Sequence, residues 1–318
     1  MTDMQFRRLG DSGLKVSVVG LGCNNFGRRL DRQATARVVD AAIDCGIKLF
    51  DTADVYGSGE SEEYLGAAVG ERRDQVIIAT KFRSPMGDGP YAQGGSRRYI
   101  LEAVDASLRR LGTDYIDLYQ MHSPDPETPI EETLSTLNDL VHDGKVRYIG
   151  SSNFDGWQIA DAAWTARLNH WTPFIAAQNH YSLLEREVER EVIPACERFG
   201  VGMLPYFPLA SGMLTGKYRR GQPAPEGTRL AGSPSAGRWM RDDVFDTIEG
   251  LERFAQDHGI SLLDVAIGGL AAQPAVASVI AGATKVEQIE ANVQAGNWVP
   301  SKDELAEINR IAPFQREE

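Results

Sequence analysis

Four side chains in this sequence have types and spacing that could do chemistry together: Asp51, Tyr56, Lys81 and His122. Asp51, Lys81 and His122 stand at or just past the ends of three consecutive short apolar runs, Leu49-Phe50, Val76–Ala79 and Ile116–Tyr119. Tyr56 lies on the loop that follows Asp51. A carboxylate, a phenol, an ammonium and an imidazole at one mouth suit the reduction of a carbonyl. Hydride delivery creates an alkoxide, and the alkoxide needs a proton. Tyrosine, with an ordinary pKa of about 10, is a poor acid at neutral pH. A neighbouring ammonium stabilises the phenolate and pulls that value down. On this reading Tyr56 is the acid, Lys81 tunes it, Asp51 orients Lys81, and His122 positions the carbonyl oxygen. Each residue also has a plain structural reading. Asp51-Thr52 could cap a helix, Lys81 could be a solvated loop lysine, His122 a satisfied buried histidine, and Tyr56 a packing aromatic with a wet hydroxyl. Their joint placement favours the chemical reading.

The elements that position them follow from periodicity. Strand-like runs occur at Val16–Leu21, Leu49-Phe50, Val76–Ala79, Ile116–Tyr119, Val146–Ile149, Phe174–Ala177, Val201–Leu204 and Val276–Ile280. Most are almost continuously apolar, as expected for parallel strands buried on both faces. Amphipathic stretches separate them, notably Arg32–Asp44, Arg97–Leu111, Glu131–His142 and Glu185–Phe199. Eight strands alternating with helices predict an α/β chain closed as a (β/α)8 TIM barrel, one domain over residues 1–318. A hairpin is expected first, Phe6–Leu9 and Leu14–Ser17 around Gly10-Asp11-Ser12-Gly13. The stretch from Leu209 to Ala275 is too long for one helix and begins rich in Gly, Pro and Ser, which predicts a long lid loop. Two further helices should follow Glu287, including Ser301–Arg310. In this architecture the site lies at the C-terminal strand ends. Those ends read Gly22-Cys23-Asn24-Asn25, Asp51, Lys81, His122, Ser152-Asn153, Gln178, Tyr206 and Gly282. The Gly-x-Gly begun at Gly20 finds Asn25 where a dinucleotide fold needs glycine, so a Rossmann reading fails.

Composition narrows the class further. With 42% hydrophobic and 25% charged residues the chain is ordinary for a globular protein. A net charge of −12 argues against a nucleic-acid surface. The N-terminal stretch has no leader-like apolar run, and no segment is long enough to span a bilayer. Three cysteines, Cys23, Cys45 and Cys196, with no Cys-x-x-Cys or Cys/His cluster, predict no metal site and fit a reducing, cytoplasmic location.

On these residues the sequence resembles the aldo-keto reductase superfamily, over nearly the whole chain and in the family's order. Leu49–Gly66 (LFDTADVYGSGESEEYLG) is similar to its first signature, and Val76–Lys81 (VIIATK) to its lysine strand. Tyr115–His122 (YIDLYQMH) is similar to the histidine strand. Val146–Phe154 (VRYIGSSNF) and Pro205–Gly212 (PYFPLASG) are similar to the cofactor-binding strand ends. The branch looks like the bacterial reductases and the potassium-channel β-subunits. The resemblance implies that Asp51, Tyr56, Lys81 and His122 form the catalytic tetrad. It implies that Ser152, Asn153 and Gln178 hold the nicotinamide carboxamide, and that Tyr206 stacks on the ring. Leu209, Ser211, Gly212, Leu214 and Lys217 would wrap the pyrophosphate. Arg229 would reach the adenosine end, with Gly282, Thr284, Gln288 and Asn292 as the last adenosine contacts. Gly22, Cys23, Asn24 and Asp51 complete the expected cofactor set.

Neutral Ser, Asn and Gln side chains suit an amide, and a Gly-rich loop with Lys217 suits a diphosphate. The expected cofactor is NADP(H), with NAD(H) as the alternative. Where many members place Lys and Arg for the 2′-phosphate this chain has Gly282 and Gln288, leaving Lys285 and Arg229 as nearby cations. Ala291 replaces the adenine-contacting glutamate. Asn25, Phe26, Phe82, Tyr56 and His122 are expected to meet a small carbonyl substrate, with Met86, Tyr91 and the segment near Trp239 beside them. Monomers, dimers and larger rings occur among relatives, so a homo-oligomer is compatible with the sequence. Two other functions compete. A class I aldolase would form a Schiff base on Lys81, and would leave Ser152, Asn153, Gln178 and Tyr206 unexplained. A non-enzymatic nicotinamide-binding redox sensor would dock to a partner protein.

Overall fold

Short apolar runs alternating with amphipathic helices fold into a parallel (β/α)8 barrel, here a computed structural model that describes residues 4–314. The chain opens with an antiparallel hairpin, β1 (Phe6–Arg8) and β2 (Lys15–Ser17), with Phe6 opposite Ser17. The barrel strands are β3 (Val19–Gly22), β4 (Leu49–Asp51), β5 (Ile77–Phe82), β6 (Ile116–Met121), β7 (Val146–Ser152), β8 (Phe174–Gln178), β9 (Gly202–Met203) and β10 (Val279–Gly282). They run parallel in the order β10-β3-β4-β5-β6-β7-β8-β9. The ring closes between β9 and β10 through three backbone bonds. Met203 N donates to Ala275 O (2.8 Å), Ala277 N to Met203 O (2.9 Å) and Ile280 N to Pro205 O (3.0 Å).

Two expected elements change. The run Val16–Leu21 is not one strand but the end of β2 and the start of β3. Ser17 makes the break: its Oγ donates to Val19 O (2.8 Å) and accepts from Lys48 N (3.0 Å), tying the corner to the start of β4. The expected helix Glu185–Phe199 is a 3-10 turn at Glu187–Glu189 followed by a short helix over Val192–Phe199. Buried Arg186 explains the shortening. It donates to Glu189 Oε1 (2.6 Å) and, far along the chain, to Asn309 Oδ1 (2.9 Å) and Ala312 O (2.6 Å). The helices are α1 (Arg32–Asp44), α2 (Glu60–Val69), α3 (Arg97–Leu111), α4 (Ile130–His142) and α5 (Gly156–Asn169), of which α1, α3 and α4 fall on named expectations and α2 and α5 are added. Asp31 caps α1 by accepting from Ala34 N (2.8 Å), and Gly112 ends α3 in the left-handed region.

Three cores hold the fold. Inside the barrel, Leu49, Ala79, Leu118, Ile175, Leu204, Ala277 and Ile280 pack with Leu9 and Val16 of the hairpin. The hairpin is thus a plug at the N-terminal end, and each fully buried Leu or Val there, such as Leu9 and Val16, adds about 1.5–3 kcal/mol by burial. Gly10, at φ +57°, is required at the plug's turn, because a Cβ would strike the Gly200 carbonyl. Outside the sheet, Phe50, Ile78, Tyr119, Ile149 and their neighbours meet the helices. A third core joins the long β9–β10 connection to the two helices Asp242–Asp257 and Leu262–Ala271 through Met213, Leu214, Tyr218, Leu230, Trp239 and Phe245. The expected lid is therefore anchored at several points rather than swinging free. None of the described helices is long and apolar enough to cross a membrane.

Candidate active site

The C-terminal strand ends bring together all four residues of the expected tetrad. β4 ends on Asp51, which pairs with Ala79 of β5, and Lys81 stands two residues further on the same face of β5, from where its side chain reaches Asp51. Lys81 is fully buried. Its Nζ donates to Asp51 Oδ1 (2.8 Å), Asp51 Oδ2 (2.8 Å) and Thr52 O (2.7 Å), so all three N–H bonds of the ammonium are used. Burial alone would depress the Lys81 pKa, but Asp51 and then Tyr56 outweigh it and hold it above the usual lysine value. Asp51 is held in turn. Gln178 Nε2 donates to Oδ1 (2.7 Å) and Gln120 Nε2 reaches the same oxygen (3.3 Å).

Tyr56 opens a 3-10 turn whose Gly57 and Ser58 both have positive φ. Its ring centroid lies 5.2 Å from Lys81 Nζ and 5.7 Å from the His122 ring, edge to face. The phenol's pKa is raised, chiefly by burial; Lys81 pulls it down, and Asp51 pushes it up again. The expected downward pull of the ammonium is present but does not win. The outcome keeps the phenol protonated, which a proton donor requires. His122 is driven to a pKa of about 3 by burial, then by Lys81 and Arg83, so its imidazole is neutral. Ser84 Oγ lies 3.4 Å from His122 Nδ1. A serine proton given to Nδ1 would leave Nε2–H as a donor toward the mouth.

The neighbouring strand ends form a second surface. Tyr206 donates to Asn153 Oδ1 (2.7 Å), and Asn153 Nδ2 donates to His122 O (2.9 Å) and Ser152 Oγ (3.1 Å). His180 stacks on Tyr206 at 5.5 Å with planes 9° apart. Gln178 has its amide nitrogen committed to Asp51, which leaves Oε1 as its acceptor. Beyond Tyr206 the chain takes positive φ at Phe207, Ala210, Ser211 and Gly212. A Cβ at Gly212 would lie 2.5 Å from Lys217 Nζ, so the lysine crosses the glycine. Leu214 is buried in the lid core and Leu209 is half-buried beside it. Gly282 pairs with Gly22 across β10 and β3 and sits against Asn24 and Asn25. Thr284 N and Oγ1 both donate to Gln288 Oε1 (2.7 and 3.2 Å), and Asn292 is buried one turn further on. Cys23 is buried, its N–H bonded to Asp51 O.

Some expected contacts are not at the mouth. Phe26 and Phe82 are fully buried in the outer core, Phe82 packed on Tyr119 at 4.8 Å. Asn25, by contrast, stays at the mouth beside the end of β10, its Nδ2 reaching Ala283 O (3.4 Å) and lying against Gly282. Tyr91 is exposed and covered by Arg98. Other residues come to the mouth that sequence reasoning did not single out. His180 and Phe207 flank Tyr206; His180 lies two residues past the β8 end, which was the available signal. Arg29 Nη2 donates to Gly227 O (3.2 Å), joining the β3–α1 loop to the lid. Arg229 lies 4.5 Å over the Phe207 ring, its pKa lowered by burial and then by Arg29 and Arg28. None of these three arginines is in an ion pair among the described residues. Arg28 and Arg29 thus add positive charge beside the expected Arg229, which the sequence alone did not point to. No group of three His, Cys, Asp or Glu side chains fit to hold a metal occurs among the described residues.

Known proteins share this arrangement of sequence. A probable voltage-gated potassium channel subunit beta from Arabidopsis thaliana is 38% identical over 93% of this chain and 92% of its own. A versiconal hemiacetal acetate reductase from Aspergillus parasiticus is 38% identical over 92% and 93%. An L-glyceraldehyde 3-phosphate reductase from Escherichia coli (strain K12) is 36% identical over 96% and 92%. The sequence model of the Aldo/keto reductase family matches residues 18–313. With barrel, strand-end tetrad and near-complete sequence coverage in agreement, the chain belongs to the aldo/keto reductase family.

Proposed function

We propose that this chain is an NAD(P)H-dependent reductase of aldehydes and ketones, with Tyr56 as the proton donor. The carrying observation is the fully buried Lys81 ammonium, held by Asp51 and Thr52 and facing the Tyr56 ring at 5.2 Å. The donor set fits a nicotinamide cofactor. Gln178 Oε1, Ser152 and Asn153 offer the acceptors and donors a carboxamide needs, and Tyr206 is pinned by Asn153 and His180 as a fixed aromatic face. Lys217, Gly212 and Ser211 suit a diphosphate; Arg229, Thr284, Gln288 and Asn292 suit the adenosine end. The cofactor, when bound, supplies hydride. NADP(H) is the expected form, and the arginines at the lid add positive charge for a phosphate.

The chain's own residues supply the rest. His122 donates from Nε2 to the substrate oxygen and fixes its place. Tyr56 Oη gives its proton as negative charge grows on that oxygen. Lys81 stabilises the phenolate left behind, and Asp51 keeps Lys81 charged and aimed. A Schiff-base aldolase fits less well. It needs a free, neutral amine, whereas Lys81 is triply bonded and its pKa is raised. The channel-subunit relatives give some weight to a second reading, a nicotinamide-binding sensor that docks to a partner. Fluorescence titration with NADPH and NADH, followed by a panel of aldehydes and ketones, separates these. The proposal expects cofactor binding and turnover, with Tyr56→Phe binding normally and losing about 10²–10⁴-fold in turnover. Tight binding with no turnover on any carbonyl favours the sensor, and equal turnover by the Tyr56→Phe variant removes Tyr56 as the acid.

A further inference from the structure

Behind the tetrad, on the far side of β5, lies a second buried group of ionisable side chains that the mechanism above does not use. Asp54 is 1% exposed and stands two residues before Tyr56. Its backbone N donates to Lys81 O (3.4 Å), and its Oδ1 accepts from Val55 N (2.7 Å), so it fixes the start of the turn that carries the phenol. Its other oxygen, Oδ2, has no hydrogen-bond partner among the described residues. The charged and titratable groups around it come from four elements. Glu62 of α2 is fully buried, its Oε2 accepting from Arg110 Nε of α3 (2.6 Å) and its Oε1 from Thr80 Oγ1 (2.5 Å). Tyr99 of α3, Tyr119 of β6 and Lys81 of β5 complete the set. The Tyr119 hydroxyl is also buried and also without a partner.

The charge count decides what this group does. Two buried carboxyl groups face a single guanidinium, and Glu62 already holds it. Lys81, the other cation that acts on Asp54 among the described residues, gives all three of its hydrogens to Asp51 and Thr52. A second carboxylate here would be desolvated, unpaired and beside a like charge, the costliest arrangement for an acid. We propose that Asp54 is a positioning residue that holds a proton in the reducing enzyme, and that losing this proton weakens Lys81's support of the Tyr56 phenolate. A neutral Asp54 leaves the field of the Lys81 ammonium at Tyr56 undiminished as negative charge develops on the phenol oxygen. An ionised Asp54 draws on the same ammonium and opposes that charge. The proton goes to solvent water, and no bond other than O–H changes. Burial first, then Glu62, push the Asp54 carboxyl up to about 7, placing the switch at neutral pH.

The proposal rests on the reductase reading, so its test has an arm that needs no turnover. In the full chain, the infrared band of a protonated carboxyl should disappear with a midpoint near pH 7 and be missing from Asp54→Asn. In the kinetic arm, kcat/KM for carbonyl reduction by wild type should step down to a lower plateau through a single ionisation with the same midpoint as the infrared band, since the ionised form keeps Lys81 but weakens its support. Asp54→Asn, permanently neutral, should stay level until the Tyr56 limb. Glu62→Gln should move the wild-type midpoint to lower pH. An infrared band absent at pH 6 refutes the held proton, whether or not any variant folds. An unchanged pH limb in Asp54→Asn, with the band behaving as described, refutes the coupling to Tyr56. Failure of every carbonyl to react would count against the reductase reading instead, and would leave the coupling refuted with it.

Discussion

Replacing Lys81 by Met keeps the unbranched stem of the side chain and removes the charged Nζ. Asp51 then loses two of its four bonds and keeps only the amides of Gln178 and Gln120. Thr52 O loses its donor as well. Removing one partner of a buried ion pair costs about 3–5 kcal/mol, because the other charge stays buried without compensation. At about 2 °C per kcal/mol for a chain of this size, Tm should drop by roughly 6–10 °C. Turnover should fall by about 10²–10⁴-fold, since the phenolate loses its support. The double variant Lys81→Met/Asp51→Asn separates the two effects. It removes the orphaned charge, so differential scanning calorimetry should show most of the lost Tm restored, while turnover stays low. The reasoning is wrong if the double variant is no more stable than Lys81→Met, for then the stability loss is not an uncompensated carboxylate. It is wrong in a different way if Lys81→Met alone keeps near-normal turnover.

Other expectations follow from the same geometry. His122, with a folded pKa of about 3 against 6.5 when unfolded, binds fewer protons when folded. Its contribution to stability is present above pH 6.5 and is lost as pH falls toward 3. His122→Gln should therefore flatten the acid side of the urea-stability profile, and an unchanged slope between pH 6.5 and 4 would count against a neutral buried imidazole. Leu9→Ala, at the barrel plug, should cost about 2–5 kcal/mol in urea denaturation and leave KM for cofactor and carbonyl unchanged, because the plug and the mouth are at opposite ends. A matching change in KM would mean the plug shapes the site.

Much of the site was readable because strand period and strand end are local properties. The β4 and β5 runs end on Asp51 and beyond Lys81, and parallel pairing does the rest. What local pattern could not carry was direction and burial. Phe26 and Phe82 sit near strand ends, yet their rings turn outward into the helix layer. Alternation along β5 puts Lys81 inward and so Phe82 outward, a consequence available from the strand's two-residue period once its register is fixed. The Glu185–Phe199 helix had the right periodicity, but Arg186 is claimed by Asn309 and Ala312, residues more than a hundred positions away. The Tyr56 pKa depended on a contest between Lys81 and desolvation, and only the enclosed site shows that desolvation wins. Arg28 and Arg29 were passed over because their role depends on the lid reaching across to Gly227.

The barrel is stitched unevenly, and that has a consequence for where it breathes. β6 and β7 share five paired positions, whereas β9 contributes two residues and meets β10 through three backbone bonds around Met203, Pro205 and Ala277. Local opening in proteins begins where few bonds hold an element. Amide hydrogens of Met203, Ala277 and Ile280 should then exchange with solvent soonest among the barrel strands. Tyr206 and the first residues of the lid start from that same seam, so a molecule gripping both sides of it would act as a bolt across the weakest stave.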